Sequence, residues 1–327
     1  MKFQLLIPHW QETAIEIRPL LDSFAIQQDI DFSDVGVIIA YDGPDAIPLP
    51  EKKWRKKYPF KIKYIHAPKG GVSATRNAAL DAATADYIMF CDADDMFCHV
   101  CGLHILFKEM DIGFDTLTSC FIEESRHPET KETIYINHDM DSTFVHGKVH
   151  RRAYLIENNI RFNPKLTIHE DSYFNILAQN LTENAKYCPT PFYLWKWRDA
   201  SVCRHDPDYI LKTYNNMLDS NDALVDEFKY RKKHDKAVFY TGMMILDAYY
   251  TLNKKEWIDK TNLEYRNSVE NRFAQYFKKH YDQWKVLTDN DKMMISNGIR
   301  TRSVMEGMPM ESITLDKWLA HVKKIAK

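Results

Sequence analysis

The chain has 327 residues, 45% hydrophobic and 28% charged, with a formal net charge of −2. That composition excludes a disordered chain, and the near-zero charge leaves no global field to draw it to nucleic acid or a membrane. The length suits one large domain followed by a smaller one.

The N-terminal MKFQLLIPHWQE turns polar after Ile7, which is too short a run for a secretory h-region, and no later stretch is apolar for long enough to span a bilayer. Cytoplasmic residence is the expectation, and the six cysteines read as free thiols. Lys2–Ile7 predicts a strand ending at Pro8, after which Ile17, Leu20, Leu21 and Phe24 recur at helical spacing. Val35–Ala40 predicts a second, buried strand that ends at Tyr41-Asp42-Gly43, and Phe60–Ile65 alternates as a third. Gly70-Gly71 breaks the chain, and Ser73 is the expected N-cap of an alanine-rich helix over Ala74–Ala83. Tyr87–Cys91 is a fourth strand, an unbroken apolar run that stops at Asp92, Asp94 and Asp95. Apolar strands alternating with helices imply an α/β domain with a mostly parallel sheet.

Cys98 and Cys101 form a C-x-x-C beside His99 and His104, but no second C-x-x-C exists, so Met96–Met110 reads as an amphipathic helix carrying packed cysteines. Thr116–Glu124 and Glu132–Asn137 flank the turn RHPETK as a β-hairpin, and Ser172–Gln179 reads as a helix. From Pro207 the pattern is charged, glycine-poor and helical, with an apolar block at Met243–Tyr250. The expected domains are therefore an α/β domain over 1–206 and a helical one over 207–327.

Asp92, Asp94 and Asp95 sit just past a buried strand, where unpaired charge is too costly to be core. A hard cation such as Mg2+ or Mn2+, shared with substrate phosphates, is the simplest way to hold such like charges together. Pro8-His9-Trp10, Asp42 and this cluster all fall beyond the carboxyl ends of strands, where open parallel sheets bind ligands.

Seven ordered segments carry a family resemblance: LLIPHWQE, VIIAYDG, GGVSATRNAAL, YIMFCDADD, GKVHRRAYLIENNIRF, HEDSYF and YLWKWRDASVCR. Over roughly Met1–His205 the chain resembles a family-2 glycosyltransferase of the GT-A fold, a Rossmann-like sheet with flanking helices. The resemblance implies that Pro8, His9 and Trp10 line a nucleobase, that Asp42 holds the base or ribose, and that Arg76 and Asn77 lie near the nucleotide. It implies Asp94 as a direct metal ligand, Asp92 as a contact to ribose or the metal, and His205 as a nitrogen ligand to Mn2+ or Mg2+. Arg198 and Ser201 would meet the diphosphate, and Lys148, Trp195 and Trp197 the acceptor. Asp171 would take a proton from the acceptor hydroxyl, with Glu170 in reserve. The residues alone allow other places: Asp42 as a turn aspartate before Gly43, Arg76 and Asn77 on a helix surface, Asp95 and Asp171 as helix N-caps, and Lys148 at a solvated helix start.

By this resemblance the protein is expected to be an inverting, metal-dependent hexosyl- or pentosyltransferase that moves sugar from a nucleoside diphosphate sugar to a glycan or surface polysaccharide. A second reading rests on Glu51–His66, EKKWRKKYPFKIKYIH, whose basic residues and interleaved aromatics suit a phosphate backbone and stacked bases. It would make the protein a nucleic-acid-modifying glycosyltransferase of the phage type, acting on hydroxylated bases. A third reading is a nucleotide-sugar-binding protein without turnover.

Overall fold

The computed structural model of the chain describes residues 1–198, 208–305 and 313–326. These divide into two compact units, Met1–Asp199 and Ala200–Lys327. The expected boundary at residue 206 lies outside the described residues.

In the first unit, β1 (Phe3–His9), β2 (Val35–Asp42), β3 (Lys61–Ala67) and β4 (Tyr87–Phe90) run parallel in the order β3-β2-β1-β4. Burial explains the pattern that predicted them. All of β2 and β4 and nearly all of β1 are buried, whereas the edge strand β3 alternates exposed Lys61 and Lys63 about buried Ile62. Helices α1 (Ala14–Ala25), α2 (Glu51–Lys57) and α3 (Gly71–Ala82) connect them. α1 opens with a reciprocal capping box between Thr13 and Glu16. β2 runs on to Asp42, so that this acid occupies the last rung of the ladder, opposite Ala67.

The strands β5 (Met96–Phe97), β6 (Thr116–Arg126), β7 (Thr133–His138), β8 (Lys148–Arg151) and β9 (Ala185–Trp195) add a mixed half. β8 lies antiparallel between β4 and β6, β9 is parallel to β6, β5 is antiparallel to β9, and β7 folds back on β6 as the predicted hairpin. Helices α4 (Gly102–Ile112), α5 (Arg152–Glu157) and α6 (Glu170–Asn180) complete the unit.

Three local expectations change. Gly70, not Ser73, precedes the alanine-rich helix, because the Asp42 carboxylate accepts from the N–H groups of Gly70 (2.9 Å) and Gly71 (3.1 Å), and Ser73 is buried in the first turn. A carboxylate distant in sequence thus replaces the local hydroxyl cap. Met96 starts a strand rather than a helix, so Asp95 caps nothing. Cys98 and Cys101 lie in the loop ahead of α4, where the Gln27 side chain accepts from Leu103 N–H (2.9 Å) and donates to the His99 carbonyl (3.0 Å).

The second unit is helical, as expected: α7 (Tyr209–Lys212), α8 (Tyr214–Tyr230), α9 (His234–Leu252), α10 (Lys255–Lys260), α11 (Leu263–Lys279), α12 (Tyr281–Val286), α13 (Asp289–Met305) and α14 (Leu315–Ile325). Its core includes Tyr214, Met244, Trp257, Phe273 and Trp318. Asp222 on α8 ties this core to α11 and its end by accepting from Arg272 (2.9 Å), Lys279 (2.7 Å) and His280 (2.6 Å).

Gly147 sets the turn into β8. Its φ is +66°, and a Cβ there would lie 2.4 Å from Ser119 Oγ and 3.3 Å from the Cys120 carbonyl. Gly147→Ala therefore meets both left-handed strain and overpacking, and we expect a loss of roughly 3 kcal/mol, read as a lower urea midpoint at unchanged m-value.

Candidate active site

The site is built around Arg76. This residue projects from α3, whose start is fixed by Asp42, and is only 3% exposed. Its Nη2 donates to Asp92 Oδ1 at 2.8 Å, and its Nη1 donates to Asp171 Oδ1 at 2.5 Å and Glu170 Oε1 at 3.2 Å. Arg76 is thus the hub of the site rather than a helix-surface residue. One guanidinium faces three carboxylates, and one of them has to carry a proton. Burial pushes the Asp171 carboxyl up to about 8, with Glu170 and Asp92 adding to the rise against the pull of Arg76. Burial also opposes charge on Asp92, but Arg76 outweighs it and holds that carboxyl below its ordinary value. Asp171 is not an N-cap: α6 begins one residue earlier, after His169 in the left-handed region at φ 63°.

Next to this hub lie the other two acids. Asp94 accepts from Arg198 at 3.0 Å, and burial together with Asp92 raises its carboxyl. Asp95 is 1% exposed, accepts from the Tyr193 hydroxyl and from the Lys196 N–H (2.9 Å), and is pushed well above the carboxylate range by burial and by Asp94 and Asp92. His146 Nδ1 stands 3.9 Å from Asp95 Oδ2, and it is buried without a hydrogen-bond partner. Burial pushes this imidazole down to about 3, so it is neutral. Ligand atoms of Asp92, Asp95 and His146 all lie within 4.8 Å of one another. An orphaned neutral nitrogen beside Asp95, whose carboxyl Asp94 and Asp92 help to raise, is part of a donor set that fits Mn2+ or Mg2+. The sequence expectation named Asp92, Asp94 and His205 for this task; His205 and Ser201 lie outside the described residues. His146 was missed, because only the pairing of β8 with β4 brings it here.

At the neighbouring strand ends, His9 is buried, with Nε2 at 2.7 Å from the Ile47 carbonyl and Nδ1 at 3.1 Å from Glu12. Both ring nitrogens are committed to the scaffold. Trp10 is 44% exposed and is the ring left to stack; Lys69 Nζ lies 3.8 Å from its centroid, and its Nε1 donates to Asp45 at 3.2 Å. Pro8 precedes them as a ladder residue, paired with Ala40. The Asn77 carboxamide is committed to backbone: it donates to the Phe162 carbonyl (2.9 Å) and accepts from the Phe162 N–H (3.0 Å).

Residues 5–164 match the sequence model described as Glycosyl transferase family 2. The chain carries a glycosyl transferase family 2 domain. It is a nucleotide-sugar glycosyltransferase. It is 23% identical to the glycosyltransferase EpsH of Bacillus subtilis over 276 residues, covering 76% of this chain and 78% of that one. It is 27% identical over 187 residues to the poly(ribitol-phosphate) beta-N-acetylglucosaminyltransferase TarS of Staphylococcus aureus, covering 54% of this chain and 32% of TarS. The structure of TarS residues 1–349 with UDP superimposes with a TM-score of 0.62 at 15% identity, over 94% of this chain and 92% of that one. That likeness gives the glycosyltransferase its GT-A architecture.

The remaining predicted residues of the glycosyltransferase lie on the β6–β9 side. Lys148 is in β8 and 1% exposed, not at a solvated helix start; its ammonium donates to the His146 carbonyl at 3.5 Å and stands 3.8 Å from Asp141. Trp195 packs 5.0 Å from both Phe144 and His146, and Trp197 lies under Arg126 at 5.6 Å. Among the described residues no helix is long and apolar enough to cross a membrane. Replacing the hub, in Arg76→Met, strands three acids. We expect a loss of about 3–5 kcal/mol at neutral pH. The loss shrinks on acidification: removing the cation raises the folded-state pKa of Asp92 and Asp171, and a raised carboxyl loses stability as pH climbs toward that value. Urea melts of parent and variant across the acid-to-neutral range check both.

Proposed function

We propose that this glycosyltransferase inverts configuration at the sugar, depends on Mn2+ or Mg2+, and transfers from a UDP-sugar, UDP-N-acetylglucosamine first, to a hydroxyl of a glycan. The observation that carries the reading is the Arg76 hub, which joins Asp92 of the D-x-D pair to Asp171 through one buried cation. The donor is inferred from TarS, whose structures include complexes with UDP and with UDP-GlcNAc.

Asp171 takes the proton of the acceptor hydroxyl as its oxygen bonds to the anomeric carbon and the bond from that carbon to phosphate breaks. A single displacement of this kind inverts configuration. A base that titrates at about 8 works close to neutral pH, where proton transfer is most effective. Glu170 and Arg76 fix its position, the guanidinium at 2.5 Å and 3.2 Å from the two carboxylates. Trp10 offers its exposed face to the nucleobase, and Asp42 holds the Gly70–Gly71 loop beside it. Arg198, now between Asp94 and Glu16, is the group in reach of the diphosphate. Asp94 and Asp92, with Asp95 and His146 behind them, would hold the divalent ion, which supplies neutralisation of the departing nucleoside diphosphate.

The nucleic-acid reading loses its aromatic half: Trp54, Tyr58 and Phe60 are 4%, 6% and 3% exposed and belong to the core. The thiols Cys91, Cys98, Cys101, Cys120 and Cys188 are free, which supports a reducing, cytoplasmic compartment.

Asp171→Asn is expected to lower transfer by about 10²–10⁴-fold while UDP still binds. In the parent, transfer rises with pH to a midpoint near 8, as Asp171 loses its proton. Isothermal titration of UDP alongside a pH–rate profile checks both, and loss of UDP binding in the variant would give Asp171 another role. Chelation by EDTA is expected to stop UDP release, and added Mn2+ to restore it; a rate indifferent to EDTA would remove the metal from the reading.

A further inference from the structure

Helix α6 carries more of the site than its first turn. Asp171 and Asn175 are four positions apart, so they project from one face of the helix, a turn from each other. Asn175 is wholly buried, and its carboxamide donates to two backbone carbonyls, those of Thr143 and Phe144, both at 2.9 Å. The amide oxygen is buried and accepts from no described residue. An unbonded buried acceptor is a cost that an aliphatic side chain avoids, so what the amide contributes here is the pair of bonds it donates.

Those bonds fall on the connection from β7 to β8. Residues 139–147 form neither helix nor strand, so no ladder supplies their hydrogen bonds. Asp141 turns the chain instead: its Oδ1 accepts from the N–H groups of Thr143 (2.8 Å) and Phe144 (3.0 Å). The same two residues are therefore held by their N–H groups from Asp141 and by their carbonyls from Asn175. Two positions later comes His146. Its ring stacks on Phe144 at 5.4 Å and 12°, and on Tyr193 at 4.8 Å. Phe144 is thus both the residue that is gripped and a ring that sets the tilt of the imidazole. Nδ1 of that imidazole stands 3.9 Å from Asp95 Oδ2.

We propose that Asn175 and Asp141 are positioning residues for the metal: by gripping Thr143 and Phe144 from two sides they aim the His146 nitrogen, and Asn175 does so from the helix that carries the base. This role deepens the metal-dependent reading and rests on His146 as a ligand. Groups that orient a ligand by hydrogen bonds, without touching the ion, change metal affinity by about 10–100-fold. Helix α6 would then serve both ends of the reaction. Its first turn presents Asp171 to the acceptor hydroxyl, and its second sets the loop that brings His146 to the acids of the donor side.

The test is a double-mutant cycle read by equilibrium Mn2+ binding to the full chain without nucleotide, the free ion being counted by electron paramagnetic resonance. Asn175→Ala and His146→Ala are each expected to raise the Mn2+ Kd about tenfold, and the double variant to bind no more weakly than His146→Ala alone. Asn175→Ala uncovers two buried carbonyls, so a second pair probes the turn from its half-buried side. Asp141→Ala should reproduce the tenfold weakening. Asp141→Asn keeps an accepting oxygen but drops the charge opposite Lys148, and it should restore parent affinity. Circular dichroism checks the fold of each variant, and the Asp141 pair decides if Asn175→Ala does not fold. In transfer assays both Ala variants should raise the KM for Mn2+ about tenfold and leave kcat within about twofold at saturating ion, whereas a partly unfolded protein loses kcat and keeps its KM. Additive losses in the double variant, a parent Kd in the folded Ala variants, or Asp141→Asn as weak as Asp141→Ala overturns the positioning role and leaves the metal reading intact. A parent that binds no Mn2+, or His146→Ala with parent affinity, sinks His146 as a ligand and the positioning role with it.

Discussion

One buried cation, Arg76, holds together the parts of the chain from which the site is made. Asp92 comes from the end of β4, and Glu170 and Asp171 from the first turn of α6, 94 and 95 positions from the arginine. The arginine and Asp92 come from consecutive elements, α3 and the end of β4, whereas α6 is remote from both in sequence. The sheet brings their backbones near, but it is the three carboxylates on one guanidinium that set the distance between the donor end and the acceptor end of the crevice. Charge-assisted hydrogen bonds from a planar, buried guanidinium make such a contact directional in a way that apolar packing is not.

The same arrangement leaves charge uncompensated. Arg76 cannot neutralise three acids, and Asp94 and Asp95 add two more next door. The molecule responds in different ways at each position. Asp92 stays ionised beside the guanidinium, Asp171 is raised into the working range of a base, and Asp95 is buried against Tyr193 with its carboxyl raised toward the neutral form. The unpartnered nitrogen of His146 faces this group. A residual electrostatic imbalance beside a neutral donor is what a divalent ion would correct, so the metal site and the base arise from one deficit.

Much of this was legible in the sequence, and the physical reason is local. Strands buried on both faces announce themselves as unbroken apolar runs, so β1, β2 and β4 were read within two residues of their ends, and the acids beyond them fell where strand ends place them. The ordered motifs then gave the family. What escaped depends on long-range contacts. Asp95 looked like a helix cap because Met96–Met110 has helical periodicity, but pairing with Leu194 and Tyr193 makes Met96–Phe97 a strand. Asp42 takes over the cap that Ser73 was expected to supply. Asn77 matches a motif and yet is spent on the Phe162 backbone. His146 had no spacing signal at all, and the hold of Asn175 on its loop exists only through long-range contact.

The position of β8 has a consequence for how the protein is made. The block β3-β2-β1-β4 is complete by Phe90, but the strand that covers the open side of β4 begins at Lys148. During vectorial synthesis the ribosome therefore presents a finished half-sheet whose newest edge, Tyr87–Phe90, is wholly apolar and still bare. Some sixty residues have to emerge before β8 can dock, at about 5–20 residues per second. For several seconds this edge is a template for pairing with another nascent chain, which makes the interval between β4 and β8 the stretch of translation in which chaperone cover and slow aggregation compete.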